Sequence, residues 1–332
     1  MPNPAQSDLH VNIPLTNVSV AYVQNNANFI ATKVFPKVPV QKQSDLFWKY
    51  SKSDFRRTDV QRRAPGTESP GIGWSVDTDS YFAHVYAVHK DIDDQVRANA
   101  DTVFKLDSEA TQFITNQLLL KRDLDWHARY FNTGIWGTDL TGVASSPTGS
   151  QFIQWDSASS DPIKLMADLQ TTFIQNTGVK ANTLVLGAHV INALKNHPAI
   201  IDRIKYTQKG IVTTDLIATL FDVDRVLVSY ATQATGPQIP DAKAQDAAAS
   251  YSFIANSKSA LLVHTPSSPG LQTPAAGYTF TWNGYLGGNS QGLKIKRFRM
   301  EHIASDRIEA EQTYDMKVVG TDLGVFLSAA VA

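Results

Sequence analysis

Apolar side chains return at helical intervals from Leu106 onward, at Ala110, Phe113, Leu120, Leu124 and Phe131. Gln117 and Ala128 interrupt the stripe, and Asp107 stands where an N-cap carboxylate belongs. The spacing predicts one helix of roughly 25 residues, about 37 Å long, the longest in the chain. The stretch before it keeps a different period. In YFAHVYAVHKDI, Phe82, His84, Tyr86 and Val88 alternate with Tyr81, Val85 and Ala87, the two-residue repeat of a strand. DLFWKYSKSDFRR supplies an opposing limb, and APGTESPGIG between them, with Pro65, Gly66, Pro70, Gly71 and Gly73, has the chemistry of an open turn. Residues 44–92 therefore read as one long hairpin. Limbs of about 15 residues would project on the order of 50 Å, too far to fold back on a compact core.

Beyond a Gly-, Ser- and Pro-rich break from Gly137 to Ser160 the pattern becomes mixed α/β. DPIKLMADLQTTFIQNTG is a helix opened by Asp-Pro and closed by Gly178. NTLVLG is a short buried strand, and AHVINALKNH a helix stopped by Pro198. TTDLIATLF is a further helix that feeds the strand DRVLVSYA, and SALLVHT is another strand. The chain closes on LKIKRFRMEHI and RIEAEQTYDMKVVG, an antiparallel pair about a turn at Ala304–Asp306. At the other end, Pro2, Pro4, Pro14, Pro36 and Pro39 punctuate residues 1–43. KVFPKVPVQ is predicted extended, because each proline pushes the residue before it out of the helical region. An arm of that kind needs another surface to lie on.

Charge and composition narrow the function. Thirty Lys and Arg against 31 Asp and Glu leave the chain close to neutral, whereas a dedicated nucleic-acid binder carries a basic excess. With no cysteine, disulfides, thiolate metal sites and cysteine nucleophiles are excluded. No run of about 18 apolar residues is present, and the first residues lack the basic start and apolar core of a signal peptide. These features predict a soluble chain made and kept inside a cell.

Candidate chemistry is thin. Gly288-Asn289-Ser290-Gln291-Gly292 matches the G-x-S-x-G nucleophile elbow, which requires a helix after the serine and then Asp or Glu before His. A strand pattern follows Ser290 instead, and His302 is preceded only by Glu301, its neighbour on the opposite face of a strand. A glycine-rich turn is the better reading. Asp123 and His127, at i and i+4 of the long helix, have metal-ligand spacing but no second ligand pair, and are read as a solvated or interface face. The run from Asp91 begins like a calcium loop, yet Val96 occupies the position that needs glycine and Thr102 the one that needs a bidentate glutamate. His189 and His197 flank a helix without a carboxylate partner. No catalytic, cofactor or metal residue is assigned.

One feature rises above this background. Lys49, Lys52, Arg56, Arg57, Arg62 and Arg63 crowd the hairpin against Asp54 and Asp59 alone, flanked by Trp48, Phe55 and Trp74. Arginine beside aromatics is the composition of interface anchors. These nine residues are the predicted inter-subunit contacts.

Arm, projecting hairpin, long helix, α/β lobe and closing strands, in that order, resemble the major capsid protein of tailed bacteriophages, the Hong Kong phage capsid fold that encapsulin shells also use. The likeness reaches particular words: FIATKVFPKVPVQKQSDLFWKYSKSDFRR with RRAPGTES for the arm and loop, and DPIKLMADLQTTFIQNTGVKANTLVLGAHVINALKNHPAIIDRI with IATLFDVDRVLVSYA for the lobe. The resemblance implies an α+β subunit divided into an N-terminal arm (1–43), an extended loop (44–92), a peripheral domain with the spine helix (93–159), an axial domain (160–290) and peripheral strands with a C-terminal return (291–332). It implies pentamers and hexamers that build an icosahedral head around packaged double-stranded DNA, enclosed without sequence-specific binding. It further implies a virion assembled in the host bacterial cytoplasm, a separate scaffolding protein, a portal and possible decoration proteins as partners, and no membrane. An encapsulin-like compartment is the alternative within the fold, and an α/β enzyme the alternative outside it.

Overall fold

The computed structural model describes residues 24–100, 105–205, 212–236, 239, 242–270, 272–285 and 292–332. The chain enters through a short helix α1 (Ala31–Val34) and strand β1 (Lys37–Val40), then forms a hairpin of β2 (Ser44–Tyr50) and β3 (Val76–Phe82). Strand β4 (His84–Asp93), helix α2 (Asp94–Asn99) and the long helix α3 (Leu106–Tyr130) follow. The lobe runs β5 (Thr138–Val143), β6 (Gln151–Ile153), α4 (Pro162–Thr177), β7 (Thr183–Gly187), α5 (Ala188–Lys195), α6 (Pro198–Ile204), α7 (Thr214–Leu220), β8 (Arg225–Ser229), β9 (Thr232–Thr235), α8 (Ala242–Ala248), β10 (Ser250–Phe253) and β11 (Ala260–Val263). Strands β12 (Gly277–Trp282), β13 (Leu293–Met300), β14 (Ser305–Val318) and β15 (Gly324–Ser328) close it.

Local signals account for much of the lobe. The Asp161 carboxylate accepts the Lys164 amide at 3.0 Å to open α4, and Gly178 ends it at φ 78, a left-handed position that suits glycine. Every residue of β7 and β11 is buried, which is why they read as unbroken apolar runs. They lie inside a six-stranded sheet ordered β6-β5-β15-β11-β7-β8, with β11 antiparallel to both neighbours. Trp155, Met166, Leu184, Leu194 and Phe221 fill the core on one side of it.

The second sheet is organised by β14, 14 residues long. β13 pairs antiparallel with its first half, from Leu293 opposite Gln312 to Met300 opposite Ser305, as the closing repeat predicts. β4 pairs with the same half, and β12 with Asp315–Val318. β1 adds a parallel strand beyond β12. Helix α3 lays Ala110, Ile114 and Leu118 on Ile92, Ile308 and Ala310 of this sheet.

Several expectations are corrected. Asp107 is not the N-cap: α3 starts at Leu106, and the Asp107 carboxylate is taken by Arg97 at 2.8 Å and Arg297 at 3.1 Å. The buried stripe of α3 is Ala110, Ile114, Leu118, Arg122, Asp123, Trp126 and His127. Phe113 is 55% exposed, and Leu120 and Leu124 are half-buried. Following apolar positions alone rotates the stripe, because its C-terminal half buries polar side chains against the arm.

The hairpin also ends sooner than predicted. β2 and β3 pair over seven residues each, Ser44 opposite Phe82 to Tyr50 opposite Val76. At Ala83, fully buried, the chain changes sheets, with the Ala83 amide on the Gln43 carbonyl (2.8 Å) and the Phe82 amide on the Asp315 carboxylate (2.9 Å). β4 leaves because Tyr86 and Val88 find apolar cover beside α3. The closing turn is a 3-10 turn at Glu301–Ile303 with Ala304 left-handed at φ 46, so Glu301 and His302 are not strand neighbours. In the arm, Lys33 and Val34 finish α1, and the extended run begins at Phe35. β5 and β6 lie at one edge of the six-stranded sheet, β12 pairs in the β14 sheet, and β15 lies in the interior of the six-stranded sheet.

Candidate assembly surface

The β2–β3 ribbon has two unlike faces because its side chains alternate. Phe47 and Tyr81 turn inward onto Phe280, Tyr81 stacked and Phe47 tilted, with ring centroids 4.5 and 5.2 Å away. Leu46 and Trp48 turn outward, and Trp48 is 63% exposed. The connection 51–75 carries no helix or strand, and leaves Phe55, Val60, Ile72 and Trp74 in solvent, Trp74 at 67%. Asp54 straps its limbs together by accepting the Ser75 amide (2.7 Å) and hydroxyl (2.6 Å), which holds the Asp54 carboxyl below its usual range.

The cationic residues do not form one free patch. Lys49 pairs with Asp79 at 2.6 Å, a hydrogen bond that pulls the Asp79 carboxyl below its ordinary range. Arg57 pairs with Asp59 at 2.9 Å, and Arg63 donates to the Thr67 carbonyl. Lys52 reaches Asp322, and Arg56 donates to the carbonyls of Gln175 and Asn176, each at 2.6 Å. Those carbonyls end α4 without intrahelical partners, so a guanidinium fork satisfies them. The hairpin thus folds back on its own lobe, contrary to the expected 50 Å projection. Among the described residues Arg62 has no partner. Between hairpin and lobe runs a groove of about 1140 Å³, lined by Leu46, Trp48, Phe55, Pro274, Tyr278 and Leu323 among others.

The chemical candidates resolve differently. The Ser290 turn lies outside the described residues. Asp123 and His127 are not on a solvated face: both are buried, with His127 Nε2 3.0 Å from the Ser229 hydroxyl and Nδ1 3.6 Å from the Asp123 carboxylate. The trio has the order of a serine-hydrolase relay, but Ser229 is fully buried and no substrate can reach it. Asp91 is bound by Arg307 at 2.7 Å, which lowers its carboxyl. His197 caps α6, accepting the Ala199 amide at 3.2 Å while its Nε2 meets Ser160 at 2.9 Å. His189 meets Phe253 edge-on. Among the described residues no three His, Asp or Glu side chains gather as metal ligands. The signal in the sequence for this buried cluster is a helical turn of Asp and His beside Trp126, a residue that favours burial.

No family model matches the chain. It is 28% identical over 223 residues to the major capsid protein of Burkholderia phage BcepMu, covering 65% of this chain and 68% of that protein. It is 25% identical over 222 residues to the major capsid protein of Pseudomonas phage JBD67, covering 65% and 67%. Among solved structures, a phage-related protein of Bordetella bronchiseptica superposes with a TM-score of 0.68 at 20% identity, over 93% of this chain and 94% of that one. The capsid of cyanophage P-SCSP1u superposes at 0.58 with 13% identity, over 98% and 94%.

Proposed function

We infer from this kinship with the major capsid proteins of tailed phages, and from the α+β Hong Kong phage-type capsid fold the chain shares with their shells, that it is a structural capsid subunit and not an enzyme. Its place is the virion shell. The finer reading is that it assembles with itself into pentamers and hexamers, and these into an icosahedral head that encloses double-stranded DNA. Assembly would take place in the host bacterial cytoplasm, guided by a separate scaffolding protein and a portal. Near-neutral charge supports a wall that encloses DNA without gripping it.

The observation that carries the assembly reading is the outward face of the hairpin. Leu46, Trp48, Val60, Ile72 and Trp74 are exposed on an element with little core of its own. Two-stranded hairpins are marginal in water, and apolar surface of this kind is consumed in obligate interfaces of about 2,000–5,000 Å² in total. Trp48, Phe55, Trp74 and Arg62 are the assigned inter-subunit contacts that best fit this reading. Lys49, Lys52, Arg56, Arg57 and Arg63 set the hairpin's shape through contacts within the chain, and their share in any interface is secondary. The test is Trp48→Ser with Trp74→Ser, followed by sedimentation and negative-stain microscopy. Folded subunits that form no shells are expected. Normal shells from the double variant would remove the hairpin face from the interface.

A further inference from the structure

Segment 24–33 runs beside the lobe in one direction. Arg225, at the start of β8, donates to the Lys33 carbonyl (2.8 Å). Ile30 and Ala31 give their amides to the Asp123 carboxylate (2.9 and 2.7 Å), one helical turn from His127 and its Ser229 partner at the end of β8. Gln24 then meets Thr232, the first residue of β9. Its side-chain nitrogen donates to the Thr232 carbonyl (2.6 Å), and its side-chain oxygen accepts the Thr232 amide (2.9 Å). The arm is therefore antiparallel to residues 225–232. Traced backward from Gln24, its course points along β9 toward Ala234.

β9 is paired on one side only. It runs antiparallel to β10 in a sheet of two strands, with Thr232 opposite Phe253 and Ala234 opposite Tyr251. The Ile254 amide donates to the Ala231 carbonyl (3.1 Å), which makes Ala231, Gln233 and Thr235 the positions bonded to the partner strand. Thr232 and Ala234 aim their amides and carbonyls the other way. The Gln24 carboxamide satisfies Thr232 by copying the donor and acceptor of a peptide. Ala234 is exposed, and among the described residues neither its amide nor its carbonyl has a partner. A strand edge left unpaired is a template for a further strand. The sequence just before Gln24 suits one: in TNVSVAYV, residues 16–23, Val18, Val20 and Tyr22 alternate with Ser19 and Ala21.

We propose that residues 18–23 of the same chain add to the free edge of β9 as a third, antiparallel strand, with Tyr22 opposite Ala234. The Gln24–Thr232 contact sets this register, because two residues back along the arm match two residues forward along β9. Tyr22 and Ala234 then exchange both backbone hydrogen bonds, which closes the open part of the edge. Val18, Val20 and Tyr22 share a face with Ala234 and with Tyr251, which is 63% exposed on β10. The small Ala234 between them leaves room for the Tyr22 and Tyr251 rings. The added strand also bears on assembly. It keeps β9 from pairing edge to edge with a second copy, so that subunits meet through other surfaces.

Hydrogen exchange and cysteine pairing in the full-length subunit test the strand. The Ala234 amide should be protected in the wild type. Tyr22→Pro removes the amide that faces the Ala234 carbonyl, and should lower that protection about tenfold, while the β7 amides of Val185 and Leu186 keep theirs. Because the chain has no cysteine, an introduced pair reports without background. Tyr22→Cys with Ala234→Cys should close a disulfide within one chain under mild oxidation. Val23→Cys with Ala234→Cys should not, since those side chains point to opposite faces. An Ala234 amide that exchanges at the unprotected rate, protection untouched by Tyr22→Pro, equal yields from the two cysteine pairs, or a disulfide that joins two chains would each overturn the proposal.

Discussion

The six-stranded lobe and the hairpin use the same kinds of residue to opposite ends. In the lobe Leu184, Leu186, Leu261 and Leu262 are completely buried, shared between the two faces of one sheet. In the hairpin Leu46, Trp48, Ile72 and Trp74 stand in solvent. The lobe buries its apolar surface inside the chain, one face in its own core and the other against the arm, α3 and the β14 sheet. The hairpin buries only Phe47 and Tyr81 against Phe280 and leaves the rest of its large apolar side chains exposed, while Lys52 and Arg56 tie it to the lobe by polar contacts. One region is built for stability and the other for contact.

The largest effect that sharpens this contrast is expected at Leu186. Leu186→Ala should destabilise the subunit by about 2–5 kcal/mol through lost transfer and an unrelaxed cavity, read as a lower urea midpoint. Trp48→Ser on the same scale should stay within about 0.5 kcal/mol, because an exposed side chain away from caps and cores contributes little. Similar losses for both variants would erase the distinction between the regions.

How much of this was legible depends on whether the signal is carried by side-chain type. Helix α4 was readable because Asp161 and Gly178 mark its ends, and β7 because a strand covered on both faces is an apolar run. The antiparallel β13–β14 pair was readable from its alternation. The apolar pattern marks the extent of α3 but not its rotation, since Arg122, Asp123 and His127 face inward beside the apolar residues. The hairpin's early end at Ala83 was hidden because β4 continues the same alternation in a different sheet. Of the candidate surface, the aromatics stood out by type. The partners of Arg56 did not, because backbone carbonyls carry no residue signature.

The rotation of α3 has its own test, of intermediate size. Ile114 is fully buried against the β14 sheet, and its neighbour Phe113 is mostly exposed. Ile114→Val should cost about 0.5–1.5 kcal/mol. Phe113→Ala, a far larger deletion, should cost less than that by urea titration. The reverse order would return the helix to the phase predicted from apolar positions. At the lobe's edge, Gly178→Ala should cost about 1–2 kcal/mol, since a side chain there must adopt φ 78.

The smallest stability effect is expected where the two regions meet. The Arg56 guanidinium is the fork that joins the hairpin to the end of α4, and its acceptors are the neutral carbonyls of Gln175 and Asn176. No buried carboxylate is left behind when it is removed, and water can satisfy both carbonyls. Arg56→Ala should therefore change subunit stability by no more than about 0.5 kcal/mol. What changes is the hairpin's freedom. With Asp54 still strapping its limbs to Ser75, the loop 51–75 keeps its shape but loses a tether, leaving Lys52 with Asp322. Limited proteolysis within 55–74 should speed up while the urea midpoint stays in place, and Arg57→Ala, which breaks only a local pair with Asp59, should do neither. If Arg56→Ala shifts the midpoint by as much as Leu186→Ala, the hairpin belongs to the core of the lobe, and the division between a region for stability and a region for contact fails.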